Sequence, residues 1–249
     1  MKIIFLILFT IIILTSCNTD DNRCFKSNGE IKTVETPINY FNKIIIESDL
    51  EIYIENSSES SITIIAGENL IPYIEYSVVN NTLIIEDNNG CDFLRKDIKP
   101  IIILKTPVIE EITINQACDL KTTANDTLKF DNLSIQTWAG IFTSDLNIYC
   151  DSLFFRCHAT TGDYTLKGDC NYAYIYNIGS GYLKASHLEC DFIQIVHRSL
   201  CKSHINATQQ IILEDIQHGS VTAYSEECPQ IITWGNDFGN LFENIGCPD

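Results

Sequence analysis

Apolar strand starts that recur about every twenty residues are the feature that most restricts how this chain can fold. Ile112, Leu133, Leu153, Ala173, Ile193, Ile212 and Ile231 open successive runs, with gaps of 21, 20, 20, 20, 19 and 19 residues. Three residues before the later starts stand Phe130, Cys150, Cys170, Cys190, Gln209 and Cys228. The next position holds Asp131, Asp151, Asn171, Asp191, Gln210 and Pro229, which reads as a corner. Glycine-bearing corners follow most of the runs: Ala139-Gly140, Thr161-Gly162, Ser180-Gly181, His218-Gly219 and Phe238-Gly239. A period of this length is too short for helical-hairpin repeats or propeller blades. It suits one coil of a parallel β-helix, with coils stacked about 4.8 Å apart so that like residues lie on like. Leucine-rich repeats share the period but need Leu and Asn at fixed places, which are missing. A β-sandwich is the competing all-β architecture.

Before the repeat, shorter strands are expected at Lys43–Glu47, Glu51–Glu55, Ser61–Ala66, Leu83–Glu86, Ile101–Lys105 and Glu111–Ile114. Polar clusters such as Asn56-Ser57-Ser58-Glu59 separate them, as turn chemistry requires. Ile dominates the apolar residues, with Val, Thr, Tyr and Phe beside it, which favours a pleated surface over helix. Leu70–Ser77 is ambiguous, and Pro72 argues against a regular helix there.

The N-terminus reads as an export signal. Lys2 precedes an apolar run from Ile3 to Ile13, broken only by Thr10. That run is shorter than the ~20 residues of a bilayer-spanning helix but suits a signal-peptide core. Leu14-Thr15-Ser16-Cys17 resembles the lipobox of bacterial lipoproteins. The resemblance implies cleavage before Cys17 and acylation of that residue, and two or more acyl chains anchor a protein stably. An ordinary secretory signal with an incidental Cys is the alternative. Asn18-Thr19-Asp20-Asp21-Asn22 is similar to the acidic export signal of Bacteroidetes surface lipoproteins. The expected organisation is a signal peptide over 1–16, a lipidated Cys and flexible tether over 17–37, and an all-β domain over 38–249. The expected location is the outer membrane, exposed at the cell surface.

The formal net charge of −17 excludes nucleic acid as a partner, because its binders displace counterions with Lys and Arg. A polyanionic ligand would need a bridging divalent cation. Partners consistent with this charge are the membrane through the lipid anchor, a glycan, or another envelope protein.

From Tyr40 onward the chain resembles a known family, the auto-transporter adhesin head GIN domain of Bacteroidetes lipoproteins. The likeness spans roughly residues 38–245. It rests on Tyr40-Phe41-Asn42-Lys43-Ile44-Ile45-Ile46, Leu50-Glu51-Ile52-Tyr53-Ile54, Leu83-Ile84-Ile85-Glu86 and Ile101 through Pro107. The family's small-residue corners have counterparts in Gln116-Ala117-Cys118, Ala139-Gly140 and Gly179-Ser180-Gly181, and Tyr224 with Pro229 resembles its closing segment. Several corners depart from the pattern, and Cys is unusually common. The resemblance implies a right-handed parallel β-helix, a single-stranded solenoid, and no established biochemical activity.

The register also singles out candidate sites. Cys150, Cys170 and Cys190 share one rung position with Cys228, and Cys247 lies nineteen residues beyond Cys228. In an exported protein these five are disulfide candidates, since stacked neighbours fall within the Cα range of a disulfide. A reduced column of small apolar side chains is the alternative. Tyr172, Tyr174 and Tyr176 put three phenols on one face of one strand, and with Trp138 and Trp234 they suggest sugar stacking. A tyrosine-covered sheet without a ligand is the alternative. Cys190, His197, Cys201 and His204 have metal-like spacing, but their strand parities differ, so no metal site is expected. Asp131, Asp151 and Asp191 form a ladder rather than a cleft, and no catalytic or cofactor motif is present. The reading is a lipid-anchored envelope module for binding or adhesion, without cofactor and not an enzyme. The alternatives are a polysaccharide-active β-helix enzyme, or a structural or sensory envelope protein without a ligand of its own.

Overall fold

The structure is a computed structural model that describes residues 27–89, 99–123, 126–234 and 238–247. The signal peptide, Cys17 and the acidic stretch 18–22 lie outside the described residues. Among those described, every regular element is a strand except the 3-10 turns Ile71–Tyr73 and Gly239–Leu241. Fifteen strands among the described residues join one curled, open sheet. No helix among the described residues is long and apolar enough to cross a membrane.

The N-terminal part is a mixed sheet built from β1 (Ile31–Pro37), β2 (Lys43–Ile46), β3 (Leu50–Asn56), β4 (Ser61–Gly67), β5 (Ile74–Val79), β6 (Thr82–Asp87) and β7 (Ile101–Thr106). β1 runs antiparallel to β4, from Ile31 opposite Gly67 to Pro37 opposite Ser61. Residues 31–37 were expected within the tether but are a strand. Most of their side chains stay exposed, so backbone pairing rather than burial holds them, and composition alone resembles a linker. β4 is antiparallel to β7, and β5 to β6. The β5–β6 turn uses Asn80 and Asn81 at φ 50° and 60°, the left-handed pair that a tight two-residue hairpin demands. The ambiguous stretch after Leu70 resolves into a 3-10 turn containing Pro72, followed by β5.

Beyond this point the chain stacks in parallel. β8 (Glu111–Ile114), β9 (Cys118–Thr122) and β10 (Leu128–Thr137) lead into β11 (Phe142–Ser199), a continuous strand of 58 residues. Drawn straight it would measure roughly 190 Å at ~3.3 Å per residue. Instead it winds back beneath itself. The Asn171 amide donates to Asp151 at 3.0 Å, and the Leu200 N–H donates to the Gly179 carbonyl at 2.9 Å. β10 pairs in parallel with β11, Leu133 on Leu153 and Phe130 on Cys150. β12 (Lys202–Ile216), β13 (Ser220–Tyr224), β14 (Gln230–Thr233) and β15 (Phe242–Ile245) continue the stacking.

The inward column is Leu133, Leu153, Ala173, Ile193 and Ile211, all buried. Burying a Leu or Ile side chain of this kind contributes ~1.5–3 kcal/mol. Several register expectations are corrected. Ile112 stacks on Ile135, not Leu133. The two residues share a parity, so alternation cannot separate them. Ile193 and Ile231 both stack on Ile211, not Ile212, and Cys190 stacks on Ala207, not Gln209. The spacing between paired residues falls from 20 at Lys184–His204 to 17 at Cys190–Ala207, then rises to 18 at Ile193–Ile211 and 19 at His197–Ile216, so parity changes at each irregularity. At the corners coils approach closely. Gly162 sits at φ +151°, where a Cβ would overlap the Phe142 carbonyl oxygen one coil away. A Cβ on Gly181 would meet the buried Tyr164 ring.

Candidate functional site

Alternation that sends Leu153, Phe155, Cys157, Ala173 and Ile175 inward sends their neighbours outward onto one sheet face. The parallel register sets Phe154 over Ser134 and Arg156 over Gln136. On the next coil stand Tyr172, Tyr174 and Tyr176, all half-buried. Phe154 lies 6.1 Å from Tyr172 and 6.5 Å from Tyr174 between ring centroids. Trp138 and His158 stack at 3.9 Å, and His158 meets Tyr176 at 5.0 Å. Trp138 is 60% exposed, so one side of its indole is open to solvent.

Polar groups frame these rings. The Tyr172 hydroxyl donates to Gln194 at 3.0 Å, and Gln194 in turn donates to Glu214 at 2.7 Å. The Arg156 guanidinium lies 5.1 Å from the Phe154 centroid and 5.8 Å from that of Tyr174. Its Nη1 donates to Ser134 Oγ at 3.2 Å. Burial, and then the Arg156 charge, hold His158 below the usual histidine value. Burial, and then Glu214, push the Tyr172 and Tyr174 phenols up, so both stay neutral hydroxyls near pH 7. The result is an aromatic, hydrogen-bonding surface whose rings tilt against one another, Phe154 by 63° to Tyr172 and 45° to Tyr174, and which offers ring faces beside polar tips.

Trp234 is exposed just past β14, three coils further along the stack from the tyrosines. Phe154, Arg156 and His158 escaped sequence reasoning. Subtracting one period of twenty from Tyr174 and Tyr176 lands on Phe154 and Arg156, so the signal was available.

The structure joins Cys228 to Cys247 in a disulfide, with Cα atoms 5.2 Å apart. Cys150, Cys170 and Cys190 are buried free thiols in one column, with Cys170 and Cys190 Sγ atoms 2.8 Å apart. Contact with Cys170, and then burial, push the Cys150 thiol well up. The metal-like string does not converge. Cys190 points into the core, and His197 is fully buried, with Nδ1 2.9 Å from Ser203 Oγ and Nε2 donating to the Cys201 carbonyl at 3.1 Å. His204 sits outside between Tyr182 and Tyr224. Among the described residues no group of three or more His, Cys, Asp or Glu side chains could hold a metal ion. Of the acidic ladder, Asp151 accepts from Asn171 and Asp191 from Thr208, so its members serve the corners.

A family described as "Putative auto-transporter adhesin, head GIN domain" matches residues 40–226. The chain belongs to this GIN-domain family. The description names an adhesin head and no reaction, and adhesins of this type point to the cell surface. Solved structures share the fold. A "putative adhesin" from Bacteroides fragilis superposes with a TM-score of 0.75 at 21% identity, covering 87% of this chain and 97% of that one. A "putative adhesin" from Parabacteroides distasonis gives 0.60 at 16% identity, covering 87% and 98%. A "Putative lipid binding protein" from the same organism gives 0.59 at 16% identity, covering 88% and 98%. At these identities the GIN-domain likeness concerns the fold alone. No curated protein matches the chain.

Proposed function

We propose that this GIN-domain protein is a lipid-anchored adhesion module of the cell envelope, whose outer face around Tyr172, Tyr174 and Tyr176 docks a saccharide. The aromatic surface formed with Trp138, Phe154 and His158 carries the reading. It is partly open, and framed by side chains that can exchange hydrogen bonds with sugar hydroxyls. The lipobox at Cys17 and the acidic residues after it support an anchor at the outer membrane with the domain outside the cell. The domain over 38–249 is read as a right-handed parallel β-helix, because right-handed crossovers are the rule where parallel strands succeed one another. A rigid stack of this kind holds its outward side chains in a fixed array, which lowers the entropic cost of binding an extended chain.

A glycan array probed with the purified protein, together with adhesion of whole cells against a deletion strain, tests the reading. It requires retention of specific glycans on the array and loss of adhesion on deletion. No retained glycan and unchanged adhesion would remove it. Lipid labelling that disappears in Cys17→Ala, and surface protease accessibility in intact cells, test the anchor and the leaflet.

A further inference from the structure

The saccharide face contains a cation with no carboxylate to neutralise it. Among the described residues, eight lysine or arginine side chains reach a carboxylate within 3.3 Å. Lys129, Lys202 and Arg156 have no such partner. Lys129 and Lys202 are exposed side chains, whereas Arg156 is half-buried and sits against the Phe154 and Tyr174 rings. Guanidinium offers five N–H donors, and one hydrogen bond, to Ser134, uses them here. Two carboxylates bordering this face already accept hydrogen bonds. Glu214 accepts from Gln194, while Glu111 accepts from Lys43 and Gln136.

We infer that Arg156 is the anchor for a carboxylate, and that the ligand of this face is an acidic sugar, a uronic acid or another carboxylated pyranose. The inference rests on the saccharide reading above and narrows it. A carboxylate matches the guanidinium fork with two parallel hydrogen bonds. Arg156 and His158 are successive outward residues of one strand, about 7 Å apart. A saccharide lying along this strand beside His158 therefore also passes Arg156. A chain with net charge −17 repels anions at long range. Screening confines that field to about 8 Å at physiological salt, so the contact favours a single charge per binding unit. A sugar bearing one carboxylate meets that condition better than a doubly charged phosphate ester or a polyanion.

The test uses the full mature chain and a panel of oligosaccharides, each in three forms: neutral, ending in a uronic acid, and as the methyl ester of that acid. The acid form is expected to bind at least tenfold more tightly than its ester. Arg156→Gln is expected to reduce the acid to the ester's affinity, and Arg156→Lys to recover part of the difference. Both variants should keep the wild-type melting temperature, because Arg156 points outward. Tyr174→Ala should weaken all three forms together. Equal binding of acid and ester, or an acid preference that survives in Arg156→Gln, overturns the acidic-sugar inference while leaving the saccharide reading in place. No binding of any form overturns both.

Discussion

Trp138 and His158, twenty residues apart, lie ring on ring with centroids 3.9 Å apart and planes 3° from parallel. Their contact is the twenty-residue repeat expressed on the outside of the sheet. The same geometry inside places Leu133 on Leu153. One periodicity therefore builds both the core and the surface offered to a ligand.

Protonation of that stack is open to direct measurement. Burial and the neighbouring Arg156 charge lower the His158 value below 6.5, so the ring is neutral at pH 7 and stacks without a formal charge. An NMR titration should place its midpoint below 6.5. In Arg156→Gln the midpoint should move part of the way back up, because burial, the larger cause, remains.

Inward and outward positions on successive coils should respond very differently to truncation. Leu153→Ala removes a fully buried side chain between two coils and should cost ~3 kcal/mol. Tyr174→Ala, on the half-buried outer face, should cost about 1 kcal/mol or less, the scale of a cross-strand aromatic contact. Urea unfolding midpoints of the two variants against the parent check the contrast.

Acid should weaken the fold through His197. Burial lowers its value from 6.5 to about 4. An unfolded chain therefore takes up a proton below pH 6.5 that the folded chain refuses until about pH 4. Stability from this group is complete above pH 6.5 and declines as the pH falls toward 4. The loss approaches on the order of 3 kcal/mol, at 1.36 kcal/mol per pH unit of separation. His197→Gln should show a flatter pH dependence of its unfolding midpoint over that window.

The cysteine column makes a counting prediction. Cys150, Cys170 and Cys190 are three thiols in consecutive coils. Cys150 and Cys190 lie two spacings apart, about 10 Å, beyond the ~7 Å Cα limit for a bond. In the exported protein Cys170 is proposed to pair with one neighbour and strand the other. Alkylation after denaturation, read by mass spectrometry, should label one of the three. In Cys170→Ser both remaining thiols should be labelled. Reduction of Cys228–Cys247 should destabilise the C-terminal end by ~3 kcal/mol, the scale for a loop of this length.

Much of this was legible in the sequence, and the gaps have physical causes. Leu133, Leu153, Ala173 and Ile193 repeat at a constant interval, so their column could be read directly. Ile135 and Leu133 are both inward, so a two-residue shift at Ile112 leaves the apolar pattern unchanged. Ile211 and Ile212 are the same residue type, and the irregularities that select the former leave no mark in composition. β1 is polar because it sits on a sheet edge with its side chains in solvent, which is also how a linker looks. On the outer face the three tyrosines announced themselves by alternation. Phe154, Arg156 and His158 belong to the same surface only through stacking across coils, a relationship that alternation within one strand cannot express.

The central claim is that the aromatic outer face is the ligand-binding surface. Glycan-array binding of the wild-type protein beside the Trp138→Ala/Tyr174→Ala double variant measures this most directly. Retained wild-type signals that fall at least tenfold in a variant of unchanged circular dichroism are the predicted result. A variant that keeps the wild-type pattern and intensity would contradict it.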